Sequence, residues 1–213
     1  MGQYFKLINY DKKQRYNPAD VSFAMKWYGF TRGFANSIAT IDLLSHDWQG
    51  DHIAIIGDYE NEKEYSGDHM KDIPEDKIRS LIERNINVKF EKSPYGWYEL
   101  PDRDDIVYSG YKSDKEYLLI NYDKKEYIDF NDFPGQKGTY QELINTSHST
   151  GAYFTICYLL SSLFSYGGRY NSWGGNRVGI IEKDVNITSS MKNITKDVLK
   201  EPEISAFYED EEW

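Results

Sequence analysis

The chain has 213 residues, with 35 acidic against 25 basic side chains, a net charge of −10 and one cysteine. A single cysteine, Cys157, excludes an internal disulfide framework and a cysteine-rich zinc module, and it suits a reducing compartment. The acid excess argues against general nucleic-acid binding, which needs clustered Lys and Arg.

The mean hydropathy is −0.72. The longest mostly apolar stretch, residues 152–164, is too short and too interrupted to span a bilayer. Met1-Gly2-Gln3-Tyr4-Phe5-Lys6 has no apolar signal core. The expectation is a cytoplasmic protein without membrane contact.

In chain order, residues 4–10 are rich in aromatic and β-branched side chains and predict a strand. Asp11-Lys12-Lys13 reads as a polar turn, with residues 14–16 opening the return strand of a hairpin. An amphipathic helix follows over 35–46, where Ile38, Ile41 and Leu44 recur at helical spacing. A Trp48-Gln49-Gly50-Asp51 turn then feeds a short apolar strand over 53–56. Residues 58–76 hold eight acids against two lysines and read as an exposed loop. Asp72-Ile73-Pro74-Glu75 starts a helix, because proline suits a first helical turn and acids favour its positive end. Residues 87–91 and 105–111 are candidate strands, and 117–122 with 126–130 form a second hairpin. Residues 152–164 predict a buried helix, and 178–181 another short strand. A last helix is expected over 189–200, followed by a loose acidic tail over 201–213.

Three blocks repeat in the same order. Ile8-Asn9-Tyr10-Asp11-Lys12-Lys13 is identical to Ile120-Asn121-Tyr122-Asp123-Lys124-Lys125, 112 residues on. Ile41–Ser45 aligns with Cys157–Ser161, and Trp48–Ile56 aligns with Trp173–Ile181. The offset only grows, which is the signature of a duplicated unit. The expectation is an α+β fold of two pseudo-symmetric halves, about 4–58 and 117–184, packed face to face. Residues 59–116 would connect them within one globular domain.

The opening Met1-Gly2-Gln3-Tyr4-Phe5, then Trp48-x-Gly50-Asp51 and Gly57-Asp58-Tyr59, resembles a group of prokaryotic and phage proteins that begin with Met-Gly-Gln-Tyr and an aromatic. The later Lys124–Tyr127 hairpin and the Gly167-Gly168-Arg169-Tyr170 stretch fit the same resemblance. It implies no activity and no catalytic residues.

Two regions are chemically suggestive. His46, Asp47, Asp51, His52 and Asp58 lie close in sequence, and His with Asp could hold a divalent metal or act as acid and base. In the second copy Asp51 and His52 become Asn176 and Arg177, which removes both ligands. What survives is a Gly-Asp/Asn turn. The structural reading is therefore preferred, with a hydrolase using Asp51, His52 and Asp58 as the alternative. The other region, residues 165–177, combines glycines, arginines and aromatics. Such a loop can approach a phosphate and stack on a base. Arg169, Tyr170, Trp173 and Arg177, with Trp48, are the candidate ligand residues. Cys157, inside an apolar helix, reads as packing rather than as a nucleophile paired with His148. The composite expectation is a non-catalytic binding or regulatory protein with no cofactor or bound metal. Its partner would be a host protein or a small phosphate-bearing, nucleotide-like ligand.

Overall fold

The computed structural model describes residues 4–18, 26–58, 70–74, 76–78, 80, 115–134, 138–139, 143, 149–161 and 173–209. The strands predicted over 87–91 and 105–111, and most of the acidic 58–76 stretch, lie outside the described residues.

Eight strands form one mixed sheet. They are β1 (Phe5–Asn9), β2 (Gln14–Tyr16), β3 (Asp51–Gly57), β4 (Lys71–Asp72), β5 (Tyr117–Asn121), β6 (Glu126–Asp129), β7 (Asn176–Glu182) and β8 (Lys192–Asn193). Their order across the sheet is β4-β2-β1-β3-β7-β5-β6-β8. Read from either edge, the sequence is the same: a two-residue strand, a hairpin, then a longer strand at the centre.

The registers correspond as well. In the hairpins Leu7 faces Tyr16 and Leu119 faces Ile128. On their inner sides Phe5 faces Gly57 and Tyr117 faces Glu182. At the outer edges Gln14 runs parallel with Lys71 and Glu126 with Lys192. The two halves do not stack face to face as expected. They meet edge to edge, where β3 and β7 pair over Asp51–Val178, His52–Arg177 and Ile53–Asn176. The reason lies in the sheet's faces. Antiparallel strands with one apolar face need a layer of helices, not another sheet, to bury it.

That layer includes α1 (Trp27–Arg32), α2 (Phe34–Ser45) and α3 (Ser149–Leu160). Alternation along the strands sends Leu7, Ile53, Ile55, Leu119, Ile128, Val178 and Ile180 into the main core, since successive side chains point to opposite faces. They meet Ile38, Ile41 and Leu44 of α2 and Ile156, Cys157 and Leu160 of α3. The other face carries two smaller apolar clusters, one around Ile8, Ala54 and Ile56 and one around Leu118, Ile120 and Tyr127.

The C-terminal third departs from the sequence reading. Where one helix was expected over 189–200, two short helices, α4 (Val185–Ser190) and α5 (Thr195–Val198), flank β8. Ile194 donates its amide to Tyr127, so pairing with β6 outcompetes a continued helix there. The acidic tail is not loose through residue 209: α6 (Pro202–Glu209) packs on α3. Ile204 and Phe207, three residues apart, give it an apolar stripe that is buried.

Candidate functional site

Each hairpin ends in a four-residue loop held by its own side chains. Asn9, fully buried, accepts from the Lys12 amide at 2.9 Å and donates to Asp51 at 2.8 Å. In the second half Asn121 accepts from the Lys124 amide at 2.9 Å and donates to Asn176 at 2.9 Å. Position 51 or 176 thus needs only a side-chain oxygen acceptor, which both Asp and Asn supply.

The loop's aspartate reaches across to the central strand. Asp11 accepts from the His52 amide at 2.8 Å, and Asp123 from the Arg177 amide at 2.8 Å. The same carboxylates hold the side chains. His52 Nδ1 lies 2.9 Å from Asp11, and Arg177 Nε donates to Asp123 at 2.7 Å. Because His52 and Arg177 oppose each other across β3 and β7, four charge-bearing groups form a row over the centre of the sheet. The row reads Asp11, His52, Arg177, Asp123. The His52 and Arg177 backbone amides, first of all, hold the Asp11 and Asp123 carboxyls below the usual carboxylate range.

The predicted cluster of Asp51, His52 and Asp58 does not converge. Asp51 and His52 are neighbours on a strand and so take opposite faces. Asp51 binds Asn9 and Lys12, whereas His52 binds Asp11. Asp58 sits just past the far end of β3 and accepts from the Tyr4 amide at 3.0 Å. Among the described residues no group of three His, Cys, Asp or Glu is placed to hold a metal.

The ligand candidates are likewise dispersed. Trp48 and Trp173 are fully buried. Their indole N–H groups donate to Gln14 at 3.2 Å and to Glu126 at 3.1 Å. Rings with no exposed face offer no platform for stacking, so these two side chains are core. Arg177 is on the surface but engaged by Asp123. Arg169 and Tyr170 lie outside the described residues. Cys157 is fully buried, and burial pushes its thiol well up, the opposite of what a nucleophile needs.

Sequence reasoning missed Asp11 and Asp123 as the carboxylates that position His52 and Arg177. Their presence in an identical hexapeptide was the available signal. A shallow recess of about 350 Å³ also lies beside the C-terminal end of β7, lined by Lys115, Glu116, Glu182, Lys183, Val185 and Thr188. Its cations are already paired: Lys115 with Glu182 at 2.6 Å, and Lys183 with Asp129 at 2.8 Å and Glu116 at 2.9 Å. Comparison of the chain with known protein families, curated proteins and solved structures finds no match.

Proposed function

We propose that this chain is an intracellular binding protein without catalytic activity, built from a duplicated hairpin–helix–strand unit. One observation carries this reading: the described groups with catalytic chemistry are committed to holding the fold. Asp51, Asp58, His52 and Arg177 each bond a hairpin loop or a strand end. Cys157 is sealed in the core. Removing any of them for chemistry would break a contact that sets strand register. The ligand is a host protein or a small phosphate-bearing molecule.

The rival hydrolase reading keeps one supporting contact. Asp11 orients the His52 imidazole through Nδ1, as a general base would need. Both readings answer to one experiment. The purified chain is incubated with p-nitrophenyl phosphate and p-nitrophenyl acetate, with and without Mg²⁺, Mn²⁺ or Zn²⁺, between pH 5 and 9. No turnover above the blank is expected, and EDTA leaves the melting temperature unchanged. Turnover that His52→Ala abolishes, or a cation that restores an EDTA-lowered melting temperature, would overturn the binding reading.

A further inference from the structure

Each hairpin loop carries a lysine where the backbone does not favour one. Lys13 has φ +51° and Lys125 has φ +55°, the only positive values at non-glycine positions among the described residues. Glycine, or asparagine, occupies such left-handed loop positions at lower conformational cost. The loop itself needs only Asn9 or Asn121 and the aspartate that follows. Lysine at 13 and 125 is therefore not explained by the turn, and a strained backbone kept without structural return points to a use for the side chain.

The neighbours point the same way. Lys71 donates its amide to the Lys13 carbonyl at 3.0 Å, and Lys192 donates to the Lys125 carbonyl at 2.9 Å. The short edge strands thus set a second lysine beside the first at both loops. All four are exposed, and none makes a side-chain hydrogen bond or ion pair among the described residues. On a chain of net charge −10, adjacent cations left without acids are the exception. Lys12 pairs with Asp51, Lys77 with Asp47, and Lys183 with two acids.

We propose that the lysine pairs Lys13–Lys71 and Lys125–Lys192 form two equivalent sites for clustered phosphates. This rests on the binding reading above and names its ligand chemistry. Lysine recognises phosphate as a mobile point charge, and two ammonium groups side by side favour neighbouring phosphates over a single carboxylate. The arrangement lacks the features of a nucleic-acid track. The nearest arginine, Arg177, is bound by Asp123. The exposed large apolar side chains among the described residues are Tyr4, Tyr28 and Val185, none of them in either loop. The phosphates could belong to a nucleotide or to an inorganic polyphosphate.

Titration calorimetry of the whole chain in 20 mM salt, with tripolyphosphate and separately with ATP, tests the proposal. Two equal sites per chain are expected, with affinity falling as salt is added. Lys13→Gly with Lys71→Ala leaves one site, and adding Lys125→Gly with Lys192→Ala leaves none. The glycine substitutions suit the left-handed backbone, so the variants keep or raise the melting temperature and loss of binding is not loss of fold. Equal binding of both probes assigns the ligand to polyphosphate, and tighter ATP binding assigns it to a nucleotide. A single site, no binding, binding that survives the fourfold variant, or tighter binding of a 12-base-pair duplex would overturn the proposal. No phosphate binding together with no turnover refutes the sites and leaves the binding reading standing.

Discussion

Gly50 and Gly175 show how one residue fixes the path of each half. Their φ values are +82° and +80°, and a side chain built on either meets no atom within 4 Å. Space is not the constraint there; backbone conformation is. Each glycine turns the chain from the buried tryptophan into a central strand, and its amide crosses to the other half, Gly50 to Val178 at 2.8 Å and Gly175 to Ile53 at 2.7 Å. Gly50→Ala and Gly175→Ala are expected to lower stability by about 1 kcal/mol each through backbone strain alone. Urea unfolding of the single and double variants measures this, and near-additive losses are expected because the strain is local. Both turns were readable in the sequence, since Trp-x-Gly-Asp/Asn recurs. The tryptophans were read there as both core caps and ligand platforms, and only burial separates the two roles.

Between elements, the hairpin loop is the working joint, and its acidity dependence follows from Asp11 and Asp123. Both carboxyls sit below the usual value of 3.8 in the fold, chiefly because backbone amides donate to them. A folded pKa below the unfolded one means that the charged form is favoured by folding. The contribution is therefore complete above pH about 4 and is lost as pH falls through the lowered folded values. Asp11→Asn and Asp123→Asn are expected to lower stability at pH 7 and to flatten the fall in melting temperature between pH 5 and pH 2. Thermal unfolding across that range reads both effects, and an unchanged acid limb would remove these carboxylates as its cause. The hairpins were legible because a six-residue identity marks them. Their aspartates' partners were not, because His52 lies 41 residues from Asp11 and Arg177 lies 54 from Asp123. Only strand register brings them together.

For the molecule as a whole, the helical layer decides how two similar halves become one sheet. Here α6 closes the layer over α3. Phe207, 4% exposed, stacks on Phe154 with ring centroids 4.6 Å apart, and the Arg32 guanidinium lies 4.7 Å from its centroid. Phe207→Ala is expected to lower stability by about 3 kcal/mol, from lost burial and the cavity left behind. A smaller loss in urea unfolding would mean that α6 is peripheral to the core.

Composition, the internal identities and the period-2 and helical apolar patterns were enough to specify the mixed α+β class, both hairpins, both central strands and the helices of each half. These features depend on local propensity and on which positions are apolar, and both are written along the chain. The edge-to-edge meeting of β3 and β7, the short edge strands and the helical tail were decided by tertiary structure. They depend on which backbone groups find partners more than 50 residues away and on which apolar stripe finds a surface to cover. So too with chemistry. Adjacent letters in Asp51-His52 suggested a site, but the pleat of a strand parts them. The lysine pairs join only because β2 pairs with β4 and β6 with β8.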